Sequence, residues 1–354
     1  MKSAPLINEL AKHPDIFQTL LVHTGQHYDY GLSQLFFEEL GMPKPDIYLG
    51  VGSGSHAQQT ARIMVGLEQV FDEQKPDLVI VFGDVNSTMA AAIVAAKMGT
   101  KLAHVEAGLR SFDNTMPEEI NRIVTDRLAD FCFVTEESGS SNLRNEGVAQ
   151  SRIFFAGNIM IDSLINHLEA CQKSSILKVL SLKPQQYATM TLHRPSNVDN
   201  RAVLEKLLHT FGKISSRIPI VFPCHPRTRK ELIEFKLLGS IDNQGFRVID
   251  PLGYLDFLML QSSARFVLTD SGGVQEESTY LKIPCITLRY NTERPVTVTV
   301  GTNVLTGPEP ERILSTVDQI LAGKFKPGQI PELWDGKTAM RIVDILIKSL
   351  IIGS

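Results

Sequence analysis

RFVLTDSGGVQEE, residues 265–277, decides the fold. Arg265 to Leu268 read as a buried strand, Ser271-Gly272-Gly273 as a tight turn, and Val274 onward as a helix. Two glycines at a helix start let backbone N–H groups approach an anion, and the helix dipole favours negative charge there. Glu277 lies one turn further on, where a carboxylate can accept hydrogen bonds from a ribose diol. NTERP follows at 291–295, and the Arg294 guanidinium matches phosphate oxygens two at a time. The two segments outline a pocket for a nucleoside diphosphate. The plainer alternative is a glycine turn beside an ordinary surface arginine.

Outward from this stretch, strand and helix patterns alternate nearly throughout, which predicts parallel sheets with helices on both faces. On the N-terminal side, 19–25, 77–84 and 101–108 are strands, 32–41, 56–74 and 89–99 are helices, and Pro117 opens a helix over 117–129. FCFVT and RIFFAGN complete this half. Around 164–184 the pattern weakens into polar sequence, read as the domain junction. A second set of strands follows at 187–193, 218–224, 247–250, 265–270, 284–289 and 303–307. The expected organisation is α/β: a Rossmann-like domain over 1–165, a second over 166–335 that holds the nucleotide, and a helix within 336–354 packing back across the junction. Ligands belong at the carboxyl ends of the strands, in the cleft where the domains face each other.

At 354 residues the chain exceeds the usual size of a single core. A formal net charge of −4 argues against a nucleic-acid partner. No apolar run is long enough to span a bilayer. The N-terminal MKSAPLINELAKHPDIF is an amphipathic helix pattern without the features of a signal peptide. Cys132, Cys171, Cys224 and Cys285 lack metal-ligand spacing and read as inert thiols in a reducing compartment, the cytoplasm. GVGSGSH (50–56) carries Ser55 where a dinucleotide-binding loop has its third glycine, so it reads as a loop entering a helix and no NAD is expected.

Three carboxylates fall where such a fold puts reactive groups: Asp84 in FGDVNST, Glu106 in HVEAGLRS, and Glu118 at the start of the following helix. If strands 77–84 and 101–108 are neighbours, Asp84 and Glu106 enter one crevice and the loop 109–116 brings Glu118 to it. Clustered acids shift one another's pKa values apart, which divides acid from base. Taken singly, Glu118 also reads as a helix-dipole acid and Asp84 as a capping acid. His193 and Arg194 end strand 187–193, and His193 is the candidate for neutralising a departing phosphate. His225, at another strand end, reads as a hydrogen-bonded core residue. Tyr254 and Phe257 either hold a flat base or are core aromatics at helical spacing.

Seven segments in order, TGQHYD, FGDVNST, HVEAGLRSFD with MPEEINR, TLHRPSNVD, FPCHPRT, LTDSGGVQEE and NTERPVT, make the chain resemble the non-hydrolysing UDP-N-acetylglucosamine 2-epimerases almost end to end. The resemblance implies a glycosyltransferase-B-like pair of domains with the active site between them. It implies that Asp84, Glu106 and Glu118 are the acid/base set, and that His193, Ser271, Gly272, Gly273, Glu277 and Arg294 hold UDP. It further implies a UDP-sugar as substrate, no metal or redox cofactor, a homodimer, and a place in supplying sugars for cell-surface polysaccharide. Gln26, Arg62 and His225 match positions where a second UDP-N-acetylglucosamine activates some members; ordinary cleft-lining polar residues are the alternative. Family members begin with a strand and a Gly-x-Arg-Pro loop before a lysine equivalent to Lys2. The resemblance therefore implies that this strand and its phosphate-binding arginine are missing from the chain as written. Two other functions stay open on the sequence: a glycosyltransferase-B sugar transferase and a non-catalytic nucleotide-sugar-binding remnant. An epimerase of a modified UDP-sugar, such as a diacetamido-glucuronate, is the variant within the family.

Overall fold

Short β-branched and aromatic runs bounded by glycine turns form parallel strands in both halves of the chain, as their near-continuous apolar character requires when both faces are covered. The computed structural model describes residues 1–25, 39–239 and 246–352. The expected helix 32–41 lies mostly outside them. The chain divides into two compact units, Met1–Asn166 with Glu332–Ser354, and His167–Pro331. Among the described residues, no helix is long and apolar enough to cross a membrane.

In unit 1, β1 (Val22–His23) and β2 (Ile47–Tyr48) pair as one short sheet. β3 (Leu78–Phe82), β4 (Lys101–Ala107), β5 (Phe131–Val134) and β6 (Ile153–Phe155) form a second sheet in sequential order, every pair parallel. Successive residues along a strand face opposite sides. Accordingly Leu102, Cys132 and Val134 pack with Ile63 and Ala90, from the helices His56–Gln74 and Asn86–Met98. Ala103, Phe131 and Phe133 pack with Leu6 and Leu10 of Ser3–Leu10 and with Ile342 and Leu346 of Thr338–Ile347. The last helix is thus a core element of unit 1. Its start is held by the buried Asp162 carboxylate, which accepts the Ala339 N–H at 2.8 Å. The N-terminal amphipathic pattern runs to Phe17, yet its helix ends at Leu10. Pro14 explains the difference: it cannot donate within a helix, and it disfavours helical geometry at His13 before it.

The described residues of unit 2 form one sheet from β7 (Ala188–Thr191), β8 (Ile220–Pro223), β9 (Arg247–Ile249), β10 (Phe266–Thr269), β11 (Cys285–Thr287) and β12 (Asn303–Leu305). The spatial order is β12-β11-β10-β7-β8-β9, all parallel. The first strand, β7, is central. Successive strands go one way from it to β9, then the chain returns to β10 on the other side. That reversal between β7 and β10 is the switch point where an open α/β sheet forms its crevice.

The chain's one tryptophan, Trp334, is buried in unit 1 and donates its indole N–H to the Thr135 carbonyl at 3.1 Å. Its fluorescence therefore reports unfolding of that unit. Asp162→Ala should lower stability by about 1–2 kcal/mol, the usual cost of losing a helix-capping acceptor, and so lower the urea midpoint seen at Trp334. An unchanged midpoint would mean that packing alone fixes the final helix.

Candidate active site

β3 and β4 are neighbours in register, with Phe82 beside Val105, so their ends deliver Gly83-Asp84 and Glu106 to one place. Gly83 adopts a positive φ of 64° and donates its N–H to the Val105 carbonyl at 3.0 Å. A Cβ added there would lie 2.8 Å from Lys2 Nζ, so the glycine leaves room for that ammonium. Glu106 is buried and also left-handed, with φ 74°, beside a register shift between β4 and β5. For a side chain larger than glycine this conformation costs on the order of 1–3 kcal/mol. It re-aims Glu106, whose Oε2 accepts from Lys2 Nζ at 2.5 Å.

The Asp84 carboxylate is gripped by Arg122, with Nε at 3.0 Å and Nη2 at 2.8 Å. Arg122 belongs to the Pro117–Leu128 helix, which also carries Glu118 and Glu119 in its first turn. These adjacent acids have different environments. Glu119 is buried and accepts from the Ser111 and Phe112 backbone N–H groups, the Ser111 hydroxyl and Arg122. Glu118 is half-buried. Lys2, Asp84 and Glu106 are therefore linked through Gly83, and the helix bearing Glu118 is tied to Asp84 by Arg122.

Beneath this cluster lies a buried network. His104 Nδ1 is 2.6 Å from Asp126 Oδ1, and Nε2 is 2.8 Å from the Gly83 carbonyl. Asp126 Oδ2 accepts from the Gly108 N–H at 3.0 Å and lies 2.7 Å from Arg110 Nη1. Burial by itself raises the Asp126 pKa, but His104 and then Arg110 outweigh it and hold the carboxyl below its ordinary value. The network fixes the ends of both acid-bearing strands.

In unit 2, β10 ends at Thr269, and Asp270 and Ser271 lead into the Gly272–Tyr280 helix. Asp270 is fully buried and gathers the loop that follows β7. It accepts from the His193 and Arg194 backbone N–H groups at 3.0 and 2.9 Å, and from the Asn197 amide at 3.1 Å. Its Oδ1 is 3.0 Å from His193 Nδ1. Burial raises the Asp270 pKa and His193 more than reverses it, leaving it below the ordinary range. The His193 ring is thereby oriented with Nδ1 on Asp270.

The first N–H groups of the Gly272–Tyr280 helix, those of Gly272 and Gly273 among them, have no carbonyl one turn back to bond. Arg294 lies across them. A Cβ on Gly272 would fall 2.5 Å from Arg294 Nη1, so only glycine lets the guanidinium settle there. Arg294 is buried, with Nε 2.7 Å from Glu276 and Nη1 3.6 Å from Glu293. Arg289 grips the same Glu293 at 3.0 and 2.9 Å, and Arg194 stands 3.9 Å from it. Amide groups, a helix start and clustered guanidinium groups make a cradle for a diphosphate.

Glu277, one turn along, is buried, and burial followed by the neighbouring Glu276 pushes its carboxyl up to about 7. Tyr254 donates its hydroxyl to Glu277 at 3.1 Å and meets His167 edge-on at 5.6 Å. Its ring is buried, which matches the core alternative of the two that the sequence left open. Phe257 is half-buried and packs on Val267, Val274 and Ile283. His225 is exposed instead of core, because its Nδ1 accepts the Arg227 N–H at 3.2 Å and caps the Pro226–Glu234 helix. It stands 5.7 Å from the His193 ring, and its pKa is lowered by partial burial, then by His193. Arg62 is exposed and donates to the carbonyls of Ser53 and Gln58 at 3.0 and 3.2 Å. Gln26 lies outside the described residues.

Sequence reasoning did not single out Arg122, Glu119, His104, Asp126 or Asp270. Asp270 stands directly before Ser271-Gly272-Gly273, and Arg122 stands one turn after Glu118, so their spacing was the available signal.

Gly272→Ala tests the placement of Arg294. Gly272 is the first residue of its helix, so alanine adds little there, and pushing the buried Arg294 off Glu276 should lower the melting temperature. Displacing Arg294 should weaken binding of inorganic pyrophosphate about tenfold or more in calorimetric titration. Unchanged affinity would remove Arg294 from the cradle.

The family model described as UDP-N-acetylglucosamine 2-epimerase matches residues 8–347. UDP-N-acetylglucosamine 2-epimerase of Methanococcus maripaludis is 43% identical over 327 residues, covering 91% of this chain and 88% of the relative. UDP-2,3-diacetamido-2,3-dideoxy-D-glucuronate 2-epimerase of Pseudomonas aeruginosa is 37% identical, with 98% and 96% covered. The crystal structure of Methanocaldococcus jannaschii UDP-GlcNAc 2-epimerase in complex with UDP-GlcNAc and UDP superposes with a TM-score of 0.89 at 42% identity, over 98% of this chain and 95% of that one. The strand order, the strand-end acids and the glycine-started helix under Arg294 thus occur in a chain that these relatives match almost throughout, and it belongs to the UDP-N-acetylglucosamine 2-epimerase family.

Proposed function

We propose that the chain interconverts UDP-N-acetylglucosamine and UDP-N-acetylmannosamine by inverting carbon 2 of the sugar. The observation that carries this reading is Arg294 laid across Gly272 at the start of a helix, a place suited to a pyrophosphate on which charge develops. The proton on carbon 2 has no adjacent carbonyl, so direct abstraction near neutral pH is hopeless. Breaking the anomeric C–O bond first, or together with proton removal, puts positive charge at carbon 1 and acidifies that proton. A carboxylate of the set Asp84, Glu106 and Glu118 takes the proton, and the C–H electron pair becomes the C1–C2 double bond. The C1–O pair leaves with UDP, giving a 2-acetamidoglucal. Return of a proton to the opposite face of carbon 2 and re-addition of UDP at carbon 1 complete the inversion. Lys2 holds Glu106 and Arg122 holds Asp84, while His193, oriented by Asp270, serves the departing phosphate together with Arg194. Ser271, Gly272, Gly273 and Glu277 hold the nucleotide.

Proton NMR in deuterated water with UDP-N-acetylglucosamine alone tests the scheme. Product should carry deuterium at carbon 2, without any acceptor, and traces of UDP and glycal should accumulate. Product that retains the original proton would rule out an exchanging carboxylate. Asp84→Asn and Glu118→Gln should each slow turnover about 100-fold or more and leave UDP affinity nearly unchanged. A second substrate, a UDP-diacetamido-glucuronate, is suggested by the relative at 37% identity, and comparing kcat/KM on the two sugars ranks them.

The same reading makes the protein a homodimer, working in the cytoplasm to supply sugars for cell-surface polysaccharide. Two-fold pairing is the commonest assembly of soluble chains, and Ile120, 50% exposed beside Pro117 on its helix, is a candidate for the shared face. Ile120→Glu should shift the mass measured by light scattering from two chains to one. A variant that keeps the wild-type mass would exclude this face.

A further inference from the structure

Glu277 differs from the other buried acids of unit 2. Among the described residues its contacts are neutral: the Tyr254 hydroxyl on Oε1 at 3.1 Å, and the Gln261 amide on Oε2. In the orientation that satisfies both ends of its amide, Gln261 donates to Glu277 at 3.1 Å and accepts the Ser278 N–H at 3.2 Å. Both donors are themselves held in place. Gln261 is fully buried, Tyr254 is 3% exposed against the edge of His167, and Asp256 ties their helix, Tyr254–Ser262, to the Ser174 hydroxyl at 2.5 Å.

We propose that Tyr254 and Gln261 are positioning residues that present both oxygens of Glu277 to the vicinal diol of a nucleotide ribose. The inference rests on the nucleotide reading of this half-site. A carboxylate offers about four lone-pair directions, two on each oxygen. Tyr254 uses one on Oε1 and Gln261 one on Oε2, which leaves one on each. Two adjacent hydroxyl groups donate to two such positions, whereas a sugar lacking them donates to neither. A glutamate side chain has three rotatable bonds, and two fixed donors select the rotamer before the ligand arrives, which reduces the ordering cost of binding.

The charge state of Glu277 supplies a second readout. The titratable groups facing it are Glu276 on its own helix and Tyr254 on the neighbouring one, with His167 and Cys171 behind Tyr254. Burial and then Glu276 hold the carboxyl at about 7 in the free protein. A diol that donates to the ionised form lowers that value on binding. Diol recognition is therefore complete above this pH and fades as pH falls through it.

The test is calorimetric titration of the full chain with UDP and with 2′,3′-dideoxy-UDP between pH 6 and 8. The affinity ratio of the two ligands isolates the diol, because titration of the phosphate cancels. Wild type should prefer UDP by about tenfold or more at pH 8, with the ratio shrinking toward pH 6. Tyr254→Phe should reduce the ratio several-fold, leave dideoxy-UDP affinity unchanged, and move the midpoint of the pH profile upward. Gln261→Leu should act in the same direction and serves if the first variant does not fold. A wild-type protein indifferent to the diol would overturn the nucleotide reading of Glu277 and this inference with it. Full discrimination retained by both variants, or equal loss for both ligands, would overturn the positioning role alone.

Discussion

A buried carboxylate has to collect donors, and in this chain the need of two aspartates for donors sets the strand-end loops, one in each unit. Asp126 takes the Gly108 N–H, His104 and Arg110, and through His104 it reaches the Gly83 carbonyl. Asp270 takes two backbone N–H groups, the Asn197 amide and the His193 ring. In each case the donors come from the strand-end loops that carry the candidate chemistry. Removing one partner of such a buried pair typically costs about 3–5 kcal/mol, because the charge left behind has no compensation. The loops are held to that extent by residues that need not touch substrate at all.

Local conformational rules give way around these hubs. Glu106 accepts a left-handed backbone, which glycine would adopt without strain, and in return its carboxylate reaches Lys2. Gly83 and Gly272 show the converse: each lacks a side chain where a cation passes, Lys2 at 2.8 Å and Arg294 at 2.5 Å from the absent Cβ. Strain and close approach occur together at the ends of β3, β4 and β10, and such concentration is expected where a site is fixed by its surroundings more than by its own preferences.

The fold was legible because strands buried on both faces are apolar runs and their turns carry glycine, so the strands from β3 to β12 could be placed from local pattern. The turn from β10 into its helix was legible for the same reason, since Ser271, Gly272 and Gly273 are consecutive. What pattern could not show were partners far apart in sequence: Arg122 on Asp84, separated by 38 residues, and Asp270 on His193, separated by 77. Adjacent Glu118 and Glu119 look alike in sequence, and the loop 111–112 and Arg122 closing on Glu119 are what bury it. His225 failed as a core residue because Pro226 starts a helix there and makes the histidine its cap. For Tyr254 the sequence left a base platform and a core aromatic open, and only the fold shows its hydroxyl reaching Glu277, 23 residues away.

Asp126, Asp270 and Glu277, all buried, show how one fold sets different charge states. Asp126 and Asp270 each have a histidine partner, and in both the gain outweighs burial and holds the carboxyl below its ordinary value. Glu277 is buried too, but its donors among the described residues are neutral, with another acid beside it, and its carboxyl is pushed up to about 7. A carboxylate whose charge is settled by the protein can act as scaffold. One whose charge is left undecided can be settled by what binds to it, and among these three only Glu277 is in that position.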